Sequence, residues 1–264
     1  MFKENFHTHS TYCDGKNPPE DMVKEAAARG FKALGFSGHA YVDYDCDWCM
    51  TKEGTAAYIK EINGLKEKYR DRLNIYCGTE LDYYSEFDPS LYDFTIGSVH
   101  YVLCSGEYCP VDSSAREQIQ CAEKYFGGSI YGYAEKYYET VGNVLNKTGA
   151  DFIGHFDLVT KFNEADKMFD TSDRRYRKAW TDAVDRLIPF KKPLEINTGA
   201  IARQVRLTPY PSIEIAQYIH DNGGYFIVTS DCHNKEMLEC GFEEVYKKYS
   251  KFNIVSFEEM LKNK

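Results

Sequence analysis

With 264 residues, 43% of them hydrophobic, and no Pro/Ser-rich linker, the chain has the size of one large α/β domain. A formal charge of −9 excludes a general nucleic-acid binder, which needs a net basic surface to grip phosphates. The longest apolar runs are far too short for a membrane span, and nine cysteines, an odd number at irregular spacing, suit free thiols in a reducing compartment better than a disulfide framework.

The opening Met1-Phe2-Lys3-Glu4-Asn5 has no signal-peptide pattern, so the expected location is the cytoplasm. From there β-prone runs alternate with helical patterns. A strand is expected over 5–9, then a helix over 19–29, opened by Pro19 with acidic residues after it and closed by Gly30. A strand over 33–37, a helix over 55–69 and strands over 73–81 and 94–99 follow. Cys46-Asp47-Trp48-Cys49 is a single C-x-x-C in a Tyr/Asp-rich loop and reads as two unpaired thiols rather than a zinc or redox motif. A long helical section over 114–148 is interrupted at Gly127-Gly128. Next come a strand over 152–154, a helix over 172–188, a strand over 194–197, a helix over 211–221 and a strand over 225–229. The patterns at 236–249 and 256–261 read as closing helices around a short strand at 253–255. Seven strands alternating with helices predict parallel β/α units, without internal repeats.

Six of the seven histidines sit in short motifs: His7 and His9 in Phe6-His7-Thr8-His9, His39 after Gly38, His100 after Val99, His155 after Gly154, and His233 in Asp231-Cys232-His233. Asp14 and Glu80 complete the set. Side chains at i and i+2 of a strand share one side, so His7 with His9, and Asp231 with His233, can converge on one region. Neutral imidazole and carboxylate are ligands that zinc, manganese and iron accept, and a mixed set without a thiolate motif favours a catalytic site. Any one of these histidines alone would read as a hydrogen-bonded rim residue, and Asp14, in Cys13-Asp14-Gly15-Lys16, reads equally well as a turn. Joint occurrence argues for two or three ions. His220 stands apart, because at the end of a helix before Asn222-Gly223-Gly224 it complements the helix dipole. Each histidine motif falls at the C-terminal end of an expected strand, which in a β/α barrel is the end that carries the active-site loops.

The series His7-Thr8-His9, Asp14, Ser37-Gly38-His39, Gly78-Thr79-Glu80, Gly97-Ser98-Val99-His100, Gly154-His155 and Ser230-Asp231-Cys232-His233 resembles the polymerase and histidinol phosphatase (PHP) superfamily. The resemblance runs nearly end to end. Within that superfamily, Gly154-His155-Phe156-Asp157-Leu158-Val159 and Leu194-Glu195-Ile196-Asn197-Thr198 are similar to the monofunctional histidinol-phosphatases. The resemblance implies a single-domain, distorted TIM-like (β/α)7 barrel with a trinuclear metal centre, hydrolysing L-histidinol phosphate to L-histidinol and phosphate in histidine biosynthesis.

It also assigns His7, His9, Glu80 and Asp231 to a first ion, Glu80, His100 and His155 to a second, and Asp14, His39 and His233 to a third, with Glu80 as a bridge. Some relatives carry histidine where Asp14 stands, and a carboxylate there favours harder ions such as manganese or iron. Phosphomonoester hydrolysis is among the slowest uncatalysed reactions, so a nucleophile and charge neutralisation must both be supplied. The expected mechanism is in-line attack by a metal-bridging hydroxide while the third ion binds a phosphate oxygen, with Glu80, Asp231 and His233 as catalytic residues. Arg203, Lys161 and Arg116 are candidate phosphate anchors, and Arg203 reads equally well as a solvated surface arginine. The expected partner is a small phosphomonoester, with neither nucleic acid nor membrane. Competing readings are another phosphoesterase of the superfamily, such as a phosphotyrosine phosphatase or nuclease-like domain, and a non-catalytic metal-binding domain. An amidohydrolase-type enzyme also begins with H-x-H on a barrel strand, but it ordinarily has a bridging lysine where this chain offers Glu80.

Overall fold

The computed structural model describes residues 1–264. In chain order its elements are β1 (Glu4–Asn5), α1 (Pro19–Ala28), β2 (Ala33–Phe36), α2 (Lys52–Tyr69), β3 (Asn74–Asp82), β4 (Phe94–Ser98), β5 (Tyr101–Cys104), β6 (Glu107–Pro110), α3 (Ala115–Phe126), α4 (Ile130–Val141), α5 (Val144–Thr148), β7 (Phe152–Ile153), α6 (Arg174–Leu187), β8 (Leu194–Asn197), α7 (Gly199–Ala202), α8 (Ile213–Asp221), β9 (Phe226–Thr229), α9 (Phe242–Lys248) and α10 (Phe257–Lys262). Seven strands form one sheet in the order β1-β2-β3-β4-β7-β8-β9, every pair parallel. Beyond the ends of β1 and β9, a parallel bridge between Thr8 and Cys232 brings the sheet's edges together. The His9 amide donates to the Cys232 carbonyl at 2.8 Å, and the Cys232 amide to the His7 carbonyl at 3.1 Å. The result is a nearly closed, distorted TIM-like barrel with helices around it.

The N-terminal end of the barrel is plugged by aromatic rings. Phe6 and Phe94 lie edge to face at 5.3 Å, and Phe257, delivered by α10, meets Phe6, Phe94 and Phe152 at 5.0, 5.7 and 4.9 Å. Burying each such ring is worth about 1.5–3 kcal/mol. Glycine is required beside them, because a Cβ on Gly78 would sit 2.4 Å from the Phe94 ring. The buried Glu4 carboxylate pins α10 by accepting from the Phe257 amide and the Ser256 hydroxyl, each at 2.7 Å. With this end sealed, the C-terminal mouth is left for chemistry.

The helices bury one stripe each. In α2 the stripe is Tyr58, Ile62, Leu65 and Tyr69, at helical spacing, and the Thr51 hydroxyl caps the first turn by accepting from the Gly54 amide at 2.9 Å. That cap starts the helix at Lys52, earlier than the residue 55 expected. The segment expected as one interrupted helix over 114–148 resolves into α3, α4 and α5, parted at Gly127-Gly128, where both φ values are positive, and at Gly142. The closing helix expected over 236–249 is likewise shortened to α9 by Gly241 at φ +75°. The expected strand at 253–255 is a single bridge from Ile254 to Phe226. The antiparallel hairpin β5–β6, after His100, was not foreseen: it follows β4 without an apolar alternation long enough to announce it. No helix is long and apolar enough to cross a membrane.

Candidate metal centre

The C-terminal mouth gathers side chains from six of the seven barrel strands or the segments just past them. His7 and His9 follow β1, with Asp14 in the turn beyond; His39 follows β2, Glu80 lies on β3, His100 follows β4, His155 follows β7, and Asp231 and His233 follow β9. A parallel bridge between His39 and Glu80 sets those two side by side. Asp231 holds φ +46°, a left-handed conformation that L side chains adopt only when surroundings impose it.

Glu80 is the hub. Its Oε2 lies 3.1 Å from His7 Nε2, 3.5 Å from His9 Nε2 and 3.0 Å from His39 Nδ1, while Oε1 lies 3.0 Å from His155 Nε2 and 3.5 Å from His100 Nε2. Asp231 Oδ1 is 3.3 Å from His9 Nε2 and 3.7 Å from His7 Nε2. At the rim, Asp14 Oδ2 is 3.0 Å from His233 Nε2, and Asp14 Oδ1 is 3.6 Å from His9 and 3.7 Å from His39. Candidate ligand atoms fall into four overlapping groups, each within 4.8 Å: His9, Asp14, His39 and His233; His7, Glu80 and His155; His7, His9 and Asp231; His39, Glu80 and His100. All nine residues singled out in the sequence are therefore in one place. His220 is elsewhere, at the end of α8 against Phe252.

These groups fit divalent ions. Nε2 of His7 and His9, Nδ1 of His39 and His100, and Oε2 of Glu80 are buried without a hydrogen-bond partner. Protein interiors seldom tolerate such a concentration of unsatisfied polar atoms, and a cation bound by them removes the penalty. Charge follows the same logic. Burial works against ionising Glu80, but His7, His39 and His100 outweigh it and hold the carboxyl well below its usual range. Burial opposes a charge on His100 too, yet Glu80 and Asp82 raise it to about 9. His7 is likewise raised, against burial, by Glu195, Glu80 and Asp231. His9 goes the other way, down to about 3, through burial and the neighbouring His233 and His39.

The cavity above the cluster has a volume of about 290 Å³. Arg203, at the end of α7, forms part of its wall, with Nη2 3.0 Å from Asp231 Oδ2 and Nη1 donating to the Asp231 carbonyl at 3.2 Å. Gly199 makes this possible, since a Cβ there would lie 2.8 Å from Asp231 Oδ2. Lys161 is also in the wall, its ammonium on the carbonyl and carboxylate of Asp112 at 2.7 and 3.0 Å. Arg116 is not brought to the site: it is exposed in the first turn of α3 and is absent from the cavity wall, because that face of the helix points to solvent. A larger groove of about 490 Å³ between α4 and α6 gathers surface ion-pairing residues and no metal-ligand set.

Several side chains that pack around the candidate ligands carry no ligand motif of their own in the sequence. Ser98 donates to Glu80 Oε1 at 2.6 Å, in space that only a glycine at 154 leaves free. Asp82, two residues past Glu80 on the same face of β3, accepts from the His100 amide at 2.7 Å. Glu195, fully buried on β8, reaches His7 Nδ1 at 2.8 Å. The signal for both was a carboxylate at strand period inside an apolar run. Trp48, from the C-x-x-C loop, stands edge-on to His39 at 4.6 Å and stacks on Tyr101 at 6.1 Å, while the Tyr101 hydroxyl donates to Asp45. Cys46 and Cys49 are free thiols, as expected, and the loop's contribution is the indole between them.

The PHP domain model matches residues 5–199. The histidinol-phosphatase of Bacillus subtilis is 29% identical over 188 residues, covering 61% of this chain and 68% of that protein. A solved protein from Listeria monocytogenes, described as a candidate histidinol phosphatase, superposes with a TM-score of 0.78 at 22% identity, covering 93% of this chain and 99% of its own. The histidinol phosphate phosphatase of Lactococcus lactis, solved with zinc, L-histidinol and phosphate, gives a TM-score of 0.72 at 20% identity over 97% of this chain and 96% of that one.

Proposed function

The chain belongs to the PHP domain family, and from that membership we propose that it is a metal-dependent histidinol-phosphatase, converting L-histidinol phosphate to L-histidinol and phosphate. One observation carries the reading: five imidazoles from four strand ends converge on the single buried carboxylate of Glu80, whose Oε2 and the facing His7 Nε2, His9 Nε2 and His39 Nδ1 are left unpaired. A solvated or purely structural cluster would have satisfied those atoms internally.

In this reading His7, His9, Glu80 and Asp231 hold one ion, Glu80, His100 and His155 a second, and Asp14, His39 and His233 a third. Zinc, manganese and iron all accept such nitrogen and oxygen donors. Bound there, they supply an acidified water and the charge neutralisation that phosphate ester hydrolysis requires. The protein's own residues do the rest. Glu80, Asp231 and His233 fix the reacting centre. Arg203, on the cavity wall beside Asp231, would offer its guanidinium to the substrate phosphate, and Lys161 is a second cation in the same wall. Trp48 and Tyr101 offer flat faces for an imidazole, and Asp45 offers negative charge for the ammonium group. That the Lactococcus lactis protein was solved with zinc, L-histidinol and phosphate supports this assignment of ligand chemistry. Nine free cysteines support our placing of the enzyme in a reducing cytoplasm.

The test is turnover of a panel of phosphoesters by metal-loaded and exhaustively chelated protein. We expect histidinol phosphate to be strongly preferred over a simple aryl phosphate, and activity to vanish without metal. Equal kcat/KM for the two substrates would point instead to a broader phosphoesterase of the same family, and activity surviving verified metal removal would overturn the mechanism.

A further inference from the structure

Glu195 touches no cavity surface, yet its carboxylate is tied to three neighbouring strands. Oε2 lies 2.8 Å from His7 Nδ1 and accepts from the Thr229 hydroxyl at 2.7 Å; Oε1 accepts from the His155 amide at 2.5 Å and from Asn197 Nδ2 at 2.8 Å. The residue is 0% exposed. The His155 amide and the Asn197 amide nitrogen can only donate, and the Thr229 hydroxyl donates here, so this side chain serves as a pure acceptor. We propose that Glu195 is a positioning residue that fixes the His7 ring with its proton on Nδ1, so that the Nε2 lone pair is presented to a metal ion beside Glu80. The inference rests on the metal-centre reading and extends it: one buried carboxylate sets the tautomer of one ligand and, through the His155 amide, the backbone of another.

The physical reason is donor arithmetic. An ionised carboxylate offers lone pairs to all four partners and forces the adjoining imidazole nitrogen to carry hydrogen. A glutamine in its place would have to turn its NH2 toward two donors. Turned toward His7, it would favour the opposite tautomer, with Nε2 protonated and unable to bind metal.

The experiment loads the intact protein with ¹¹³Cd and records ¹⁵N spectra of the histidine side chains. The expected result in wild type is metal–nitrogen coupling to His7 Nε2, with a slowly exchanging proton on Nδ1. Zinc affinity, measured against a chelator, should fall roughly ten- to a hundredfold in Glu195→Gln. Thr229→Val, which removes one donor and leaves the carboxylate in place, should keep His7 coupled through Nε2. Coupling through His7 Nδ1, or a folded Glu195→Gln protein that binds zinc as tightly as wild type, would overturn the proposal while leaving the metal centre intact. If Glu195→Gln does not fold, the wild-type spectrum decides. Absence of any cadmium uptake by the wild type would overturn both this inference and the metal reading beneath it.

Discussion

The guanidinium of Arg203 and the carboxylate of Asp231 meet with Nη2 3.0 Å from Oδ2, while Asp231 turns its other oxygen toward His9 at 3.3 Å. One carboxylate thus joins a cation on the cavity wall to the candidate metal ligands. Burial works against a charge on Asp231, but Arg203 and then His7 outweigh it, so the group stays ionised.

Arg203→Ala should therefore lower kcat/KM for histidinol phosphate by roughly ten- to a thousandfold, the loss expected for a charge-assisted contact of about 1.5–3 kcal/mol or somewhat more. Metal content should persist, because Arg203 is not a ligand in this scheme. Steady-state kinetics paired with elemental analysis checks both halves. Unchanged kcat/KM would remove Arg203 from the phosphate site.

Glu80→Gln keeps the shape and removes the charge on which five imidazoles converge. Turnover should fall by several orders of magnitude and bound metal should drop with it. Retention of full metal stoichiometry together with near wild-type turnover would sink the bridging role.

Metal uptake should release protons. His100, raised to about 9, holds a proton at pH 7 in the metal-free protein, and His7 is shifted in the same direction by Glu195, Glu80 and Asp231 against burial. An ion must displace such protons, so affinity should climb by up to about tenfold per pH unit for each proton displaced as pH rises toward 9. The sign for stability is opposite. Protonated His100 stabilises the metal-free fold fully below the ordinary histidine value of 6.5, and that contribution is lost as pH rises through about 9. Calorimetry in buffers of differing ionisation enthalpy counts the protons; a pH-independent zinc affinity would contradict the arrangement.

In the proposed reading Trp48, which lines the cavity beside His39, contacts the substrate rather than a metal ion. Trp48→Ala should reduce kcat/KM for histidinol phosphate by roughly tenfold, in line with the loss of an aromatic contact worth about 0.5–1.5 kcal/mol beyond buried area, and should leave hydrolysis of a small alkyl phosphate nearly unchanged. Equal losses on both substrates would assign the indole to packing around His39 and His100 instead.

The alternation of strands and helices was legible in the chain because period-2 and period-3.6 patterns are local properties. So was the candidate ligand set: His7 and His9 lie at i and i+2 just past a strand, which favours one side for both, whereas Asp231, at φ +46°, is aimed by its surroundings. Which ring nitrogen faces the Glu80 carboxylate, and what stands behind it, was settled only in three dimensions. Glu195 is far from His7 along the chain, and their 2.8 Å contact exists because β8 and β9 curl round until Cys232 bonds to the segment bearing His7 and His9. The same holds for the cations. Lys161 and Arg116 looked alike as sequence, yet a turn after β7 swings Lys161 onto Asp112 at the mouth, whereas the first turn of α3 points Arg116 into solvent. Trp48 belongs here too, because a loop's direction depends on what it packs against, and this one lies over His39 and Tyr101. Local periodicity determined where the strands end and which candidate ligands they carry, while barrel closure and loop packing, both non-local, decided how those side chains are aimed and what shares the cavity with them.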